Sequence, residues 1–326
     1  MPNWIGDFLM AASVVRRKFD ELPAGQLTVI VPEKQAALAF LLGDDIPYIV
    51  YRRKNGGEFR KSLSEIRSGG FDTLYLLPKS FSAAWLGFRS KIKRRRGIRA
   101  QNRSPLLTDP LPFFISAKNR HITLYYSDVL EAACEPPENW AGAARFLSGL
   151  AGEEGGQPRG LPVHEPAGEE IVLCPGAAYG PAKQWPGYRD LTAMFPERKF
   201  IILGDKKDFE TGEEIAAVFS GRVKNLAGKT SLKEAMEIIA RASAVVSNDS
   251  GLMHAAAYIG TPVVGIFGST SPQWTRPLGK LTRIAHVKQE CSPCFQRECE
   301  LSENRYKCQK SVTAGYVAGL LGEVVR

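Results

Sequence analysis

The sequence predicts an α/β fold built as two doubly wound, Rossmann-like domains, and three observations predict it. Short runs of β-branched and aromatic residues alternate with helical stretches along the chain. Gly, Pro and Asp bound those runs, as they do buried parallel strands. A Gly/Pro/Glu-rich stretch, residues 152–170, divides the chain into halves that repeat the same plan. The expected domains are residues 1–163 and 164–326.

In the first half, strands are expected at residues 27–32, 46–51 and 71–78, and helices at 8–21, 33–42, 58–68 and 80–89. The first recognisable element is a loop running into a helix at residues 3–8, with no strand before it. A doubly wound domain opens on a strand that becomes central, so this sheet is expected one strand short. In the second half, strands are expected at 171–174, 199–203, 244–247 and 262–267, with helices at 188–194, 210–219, 231–242 and 251–259. Ligands of such sheets bind beyond the carboxyl ends of the strands, so the loops there are where chemistry is sought, and two such domains facing one another form a cleft.

Composition excludes several classes. With 326 residues, 44% hydrophobic, and no apolar run near the roughly 18 residues of a spanning helix, the chain reads as globular and cytoplasmic. The start lacks signal-peptide features, and six cysteines in this length are not a disulfide scaffold. The net charge of +9 divides unevenly, +7 over residues 1–163 and +2 over 164–326. Six cations fall between Lys91 and Arg99, with Arg60, Lys61 and Arg67 upstream. This segment reads either as a solvated basic loop or as a face for an anionic partner. Nucleic acid is not expected, since Lys91 to Arg99 lacks interleaved aromatic residues for base stacking.

The strongest local signal is VSNDSGLMHAAAYIGTPVVGIFGSTSP, residues 246–272. A strand ends, Asn248, Asp249 and Ser250 stand where helix caps belong, and Gly251 opens a helix ending at Gly260. The open N–H groups of that first turn suit an anion, and His254 lies one turn in. The competing reading is an ordinary capped helix with a core histidine. A second signal is CPGAAYGPAKQWP, residues 174–186, in which Lys183 is either a point charge for a diphosphate or a surface residue. It is not a phosphate-binding P-loop, because GxxxxGK[ST] is missing. Asp208, in GDKKD after the next strand, stands where a ribose hydroxyl needs an acceptor.

In the first half, Asp7 in NWIGDF is a carboxylate at a glycine-framed loop-to-helix junction, a position that fits a general base or a helix N-cap. Cys291, Cys294, Cys299 and Cys308 follow a C-x2-C-x4-C-x8-C spacing, open to a structural zinc ion or to four free thiols. No Ser-His-Asp set, HExxH or GxGxxG occurs, and the four histidines do not cluster.

Taken together, PNWIGD (2–7), YLLPKSFSAAW (75–85), PGAAYGPAKQWP (175–186), NLAGKTSL (225–232) and SNDSGLMHAAAYIGTPVVGIFG (247–268) resemble the ADP-heptose:lipopolysaccharide heptosyltransferases of glycosyltransferase family 9, most closely the heptosyltransferase II branch. The resemblance covers nearly the whole chain. It implies a GT-B architecture, with nucleotide-sugar in the C-terminal domain and acceptor in the N-terminal one. It implies that Asp7 is the acceptor-activating base, that Gly6 shapes its turn, and that Arg60 and Lys61 lie near the anionic acceptor. It implies that Lys183 contacts the diphosphate, that Asp249, Ser250, Gly251 and His254 cradle ADP, and that Asp208 contacts the ribose. The implied reaction is an inverting transfer of heptose from ADP-heptose to an inner-core heptose of a phosphorylated lipid A-core acceptor. It requires no cofactor, and the enzyme is expected at the anionic inner face of the cytoplasmic membrane. The family also carries a strand directly before the PNWIGD motif, which this sequence lacks.

Overall fold

The computed structural model describes residues 1–53, 56–112, 119–133, 168–219 and 221–325. Most of the stretch read as a linker, the expected boundary at 163, and Cys134 lie outside the described residues. The chain forms two compact units, one holding residues up to 133 and the other those from 168 onward among the described residues.

The first unit contains helix α1 (Ile5–Glu21), strands β1 (Val29–Pro32) and β2 (Tyr48–Tyr51), helix α2 (Gly56–Ser68), strand β3 (Thr73–Leu76) and helix α3 (Phe81–Ser90). Strands β4 (Arg94–Ile98) and β5 (Asp109–Leu111) and helix α4 (Ile122–Leu130) complete it. The segment expected to be helical at residues 33–42 is a 3-10 helix. All strand pairs are parallel, but they fall into two sheets, β1–β2 and β3–β4–β5. Among the described residues no strand joins β1 to β3. Helix α1 packs on α4 through buried Phe8, Leu9, Ala12 and Val15.

The basic segment is corrected by the fold. Residues 94–98 are not a loop but the middle strand of the second sheet. Arg94 reaches Asp109 and Glu131, both at 2.6 Å, and Arg96 reaches Asp109 at 2.8 Å. Arg95 is held by the Leu106 carbonyl at 2.8 Å. Two carboxylates, held below their usual range by these guanidiniums, thus pair with two of the run's cations, Arg94 and Arg96. Arg103, fully buried, donates to the Ile98 carbonyl at 2.9 Å and to the Pro78 and Ser80 carbonyls, tying together the loops after β3 and β4.

The second unit contains strands β6 (Ile171–Cys174), β7 (Phe200–Ile202), β8 (Val223–Asn225), β9 (Ala244–Asn248), β10 (Val263–Phe267) and β11 (Thr282–His286). Its helices are α5 (Tyr188–Ala193), α6 (Phe209–Ala216), α7 (Leu232–Arg241), α8 (Gly251–Ile259), α9 (Pro272–Thr275), α10 (Lys307–Lys310) and α11 (Ala314–Val324). The six strands form one parallel sheet in the order β11-β10-β9-β6-β7-β8. Strands β6, β9 and β10 are buried throughout, which explains their apolar sequences, broken only in β9 by the hydrogen-bonded Ser247 and Asn248 at its carboxyl end. Trp185, Tyr188, Val317 and Leu321 close over Ile171, Val246, Val264 and Ile266, and each large side chain so buried contributes about 1.5–3 kcal/mol. A reciprocal Ser231–Glu234 capping box fixes the start of α7, and Gly260 at φ +94° ends α8 in the left-handed region. The strand order reverses between β6 and β9, so the loops leaving those two neighbours flank the topological switch point, where α/β sheets bind ligands.

Candidate active site

Lys183 and Asp249 stand at that switch point. Lys183 ends a 3-10 turn, Pro181–Lys183, in the loop after β6, and Asp249 directly follows β9. Lys183 Nζ donates to Asp249 Oδ2 at 2.5 Å and to the Asp249 carbonyl at 3.3 Å. The same carboxylate accepts from Thr270 Oγ1 at 2.7 Å and has Thr275 Oγ1 at 3.5 Å. His254 Nε2 lies 4.0 Å from its other oxygen. Burial pushes the His254 imidazole down to about 4; Asp249 opposes the shift and Lys183 adds to it. His254 is therefore neutral at pH 7, a hydrogen-bonding group and not a charge.

Ser250 occupies the N-cap position of α8, but its hydroxyl makes no cap hydrogen bond. It pairs with Ser247 Oγ at 3.1 Å. The cap role expected of these polar residues is thus not taken, and the first-turn N–H groups, with Gly251 leading, carry no side-chain acceptor. Asn248 is a tie and not a cap: fully buried, it donates to the Pro175 carbonyl at 2.6 Å and accepts from Trp185 N at 3.2 Å and Tyr188 Oη at 3.1 Å. It thereby locks β9 to the loop that carries Lys183.

Asp208 is brought to the same end of the sheet. Its carboxylate accepts from the Asp205 N–H at 2.8 Å within a capping box, and burial raises its pKa. A Cβ at Gly176 would lie 2.1 Å from Asp208 Oδ2, so the carboxyl rests directly on the backbone after β6. The motif around residue 228 is structural: Asn225 accepts from Ala227 N at 3.0 Å and donates to the Phe209 carbonyl at 3.0 Å, closing the turn after β8.

The cysteine segment contributes in a way its spacing did not signal. Residues 292–297 run as a strap across both glycine-rich loops of the site. The Ser292 hydroxyl donates to the Gly268 carbonyl, and Phe295 N donates to the Ser269 carbonyl at 2.8 Å. On the other side, Tyr179 Oη donates to the Phe295 carbonyl and Ala182 N to the Arg297 carbonyl at 3.0 Å. Gly180, at φ +143°, admits this approach, since a Cβ there would lie 2.6 Å from the Arg297 carbonyl. Lys183 Nζ sits 4.9 Å above the Tyr179 ring and Arg297 5.6 Å from it. Cys291 and Cys294 are exposed free thiols and Cys308 is buried, with Cys299 between. Burial raises the Cys308 thiol, and its three neighbours push the same way, so the four share one neighbourhood. Among the described residues, however, no group of three or more His, Cys, Asp or Glu is arranged to hold a metal ion. Of the two readings the spacing left open, a structural zinc has no ready-made ligand shell among the described residues.

In the first unit, Asp7 is the third residue of α1, inside its first turn, and Trp4 is the N-cap. Asp7 is thus not the cap. Buried Gly6 precedes it, and buried Tyr126 of α4 directs its hydroxyl toward Asp7 Oδ1 at 3.4 Å. Burial, with Asp7 beside it, keeps the Tyr126 phenol protonated well above its usual range. Arg60 and Lys61 lie on the exposed face of α2, where Arg60 donates to its own helix at the Gly56 carbonyl, 3.2 Å. The structure does not bring either into contact with Asp7. Thr270, Thr275, Tyr126 and the 292–297 strap are the positioning groups that sequence reading passed over. For Thr270 alone a signal existed, the glycine-rich turn at 268–271.

An all-parallel sheet with a half-buried lysine and a helix start without a side-chain cap at its switch point has the chemistry of an anion-binding site. The model of glycosyltransferase family 9 (heptosyltransferase) matches residues 59–304, and the chain belongs to that family. It is 32% identical over 312 residues to lipopolysaccharide heptosyltransferase 2 of Salmonella typhimurium, covering 88% of this chain and 86% of that one. It is 31% identical over 318 residues to lipooligosaccharide heptosyltransferase 2 of Haemophilus influenzae, covering 88% and 87%. The structure of E. coli ADP-heptose lps heptosyltransferase II superposes with a TM-score of 0.74 at 25% identity, covering 99% of this chain and 96% of that one. The GT-B class implied by the resemblance is the class of these neighbours. Among the described residues no helix is long and apolar enough to cross a membrane.

Proposed function

We propose that this glycosyltransferase moves a heptose from ADP-heptose to an inner-core heptose of a phosphorylated lipid A-core acceptor, at the inner face of the cytoplasmic membrane. The observation that carries the reading is the Lys183–Asp249 pair beside the uncapped start of α8, in a chain 32% identical to lipopolysaccharide heptosyltransferase 2 along most of its length. Lys183 supplies the positive charge and α8 the N–H donors that a diphosphate needs. Gly251 lets its oxygens approach the backbone, and neutral His254 adds a hydrogen bond. Asp208 accepts from a ribose hydroxyl with the carboxylate oxygen its own turn leaves open.

In the transfer, Asp7 takes the proton of the attacking acceptor hydroxyl as that oxygen bonds to the anomeric carbon and the bond to ADP breaks. A single displacement inverts the anomeric configuration. Charge developing on departing ADP falls on Lys183 and the α8 N–H groups, which need no reorganisation to receive it. Tyr126 positions the base. Arg60 and Lys61 are read as contacts to acceptor phosphates. No step is routed through a metal, and the thiol arrangement favours four free cysteines over zinc. One zinc per chain, lost in Cys291→Ser, would restore the zinc reading.

The test offers the purified protein ADP-heptose and a panel of other nucleotide-sugars with a heptose-bearing lipid A acceptor. Consumption of ADP-heptose with one heptose added to the acceptor is the expected result. Turnover of another donor only would overturn the substrate assignment.

A further inference from the structure

Helix α3 is built the wrong way out for a helix that meets only water. Its inner face, Ala84, Leu86, Gly87 and Ser90, is buried, and a Cβ at Gly87 would lie 2.8 Å from Leu74 of β3, so the helix is seated on its sheet without slack. Ser80 caps its start by accepting from Ala83 N at 3.3 Å. The outer face should then be polar. It carries Phe81, Trp85 and Phe88 instead, at i, i+4 and i+7, exposed by 47%, 39% and 46%.

These rings form one surface. Trp85 and Phe88 stack with centroids 5.7 Å apart. The Arg89 guanidinium lies 5.6 Å from the Trp85 ring and 5.9 Å from Phe59 of α2, and Arg95 lies 5.9 Å from Phe88. Arg67 of α2 joins the edge by donating to the Arg89 carbonyl at 2.6 Å. Among the described residues Arg67, Arg89 and Lys91 have no carboxylate partner, whereas Arg94 and Arg96 of the adjoining strand do. An aromatic stripe rimmed by uncompensated cations matches the headgroup layer of an anionic bilayer, where rings enter the acyl boundary and guanidiniums meet phosphates. A stacking platform for single-stranded nucleic acid needs open ring faces. Here Phe88 and Arg89 both lie against the Trp85 ring, leaving less of it free for a base.

We propose that the outer face of α3, through Phe81, Trp85 and Phe88 with Arg67, Arg89 and Lys91, docks the first unit on an anionic phospholipid surface. The proposal rests on the lipid-linked acceptor read above, and it gives that reading a physical contact. The rings bind by burial and the cations by attraction to lipid phosphate, so binding needs anionic lipid and weakens with salt.

The test is flotation of the full-length protein with vesicles of phosphatidylcholine, with and without phosphatidylglycerol. Wild type should float with the anionic vesicles only. Trp85→Ser/Phe88→Ser and Arg67→Glu/Arg89→Glu should each weaken binding at least roughly tenfold while keeping the thermal midpoint. Both should keep normal transfer to a detergent-dispersed acceptor. Equal flotation of wild type and both variants, or none by wild type, would overturn the proposal. Tighter binding to single-stranded RNA than to vesicles, or a dimer lost in Trp85→Ser/Phe88→Ser without loss of flotation, would also overturn it. Flotation needs no substrate and the detergent assay needs no bilayer, so failure of the docking face and failure of the functional reading show in different measurements.

Discussion

Lys183 Nζ sits 2.5 Å from Asp249 Oδ2, with the two side chains 13% and 4% exposed. Sixty-six residues of sequence separate the partners. A charge pair this dry is weak evidence of net stabilisation, but removing one partner strands the other, at a cost of about 3–5 kcal/mol. Asp249→Ala should therefore lower the urea midpoint sharply as well as abolish transfer. Lys183→Met should reduce ADP affinity and kcat, and Lys183→Arg should not restore them, because a planar fork does not fit a site shaped round a point charge. ADP titration by calorimetry separates the binding loss from the folding loss.

Asp7→Asn keeps the shape of the α1 turn and removes the proton acceptor. Transfer should fall by roughly 10²–10⁴ while ADP binding and the melting temperature stay put. Retention of near-normal turnover would sink the base assignment. Tyr126→Phe removes only the hydroxyl 3.4 Å from Asp7 Oδ1, so its effect should be smaller and should appear in kcat with KM for the acceptor and ADP affinity little changed.

The stability of the second unit should depend on pH through His254. Its folded pKa, about 4, lies below the ordinary 6.5, so the unfolded chain takes up this proton first. Stability tied to the neutral ring is complete above pH 6.5 and is lost as pH falls toward 4, by up to about 3 kcal/mol. His254→Gln should flatten that part of the denaturation profile. An unchanged slope in the variant would show that other groups govern it.

Gly176→Ala forces a methyl against Asp208 Oδ2, where 2.1 Å is available. It should cost about 1–3 kcal/mol and displace the carboxylate. Asp208→Ala in the same chain should recover part of that loss. Strictly additive losses in the double variant would disprove the close approach.

The sheet of the second unit was legible because β6, β9 and β10 are buried throughout and therefore mostly apolar, with Ser247 and Asn248 the polar end of β9. Strands β8 and β11 passed unread, since Lys224 and Arg283 interrupt short edge strands that only their neighbours stabilise. Strand β4 was hidden by its arginines, whose partners Asp109 and Glu131 lie 13 to 37 residues onward. At the site, Lys183 and Asp249 could be named singly from their loops, whereas their pairing depends on which strands become neighbours. The strap was not legible because the cysteine spacing reports sulfur atoms, and what these residues supply to the site is mainly main-chain carbonyls and N–H groups.

That pairing also sets an order of assembly during synthesis. Strand β6 meets β7 early, but its other edge stays open until β9, some seventy residues later, has left the ribosome, since Leu173 pairs with Ile202 on one side and Val246 on the other. A nascent chain ending after β8 holds Lys183 with no counter-charge and no helix start to cradle a nucleotide. Strands β9 and β10 bring the carboxylate and Thr270, and the main-chain clasp from 292 to 297 shuts the loops only when the final tenth of the polypeptide is being made. On the proposed function, ADP binding reports completion of the second unit: a chain released before residue 292 should leave the loops after β6 and β10 without their clasp.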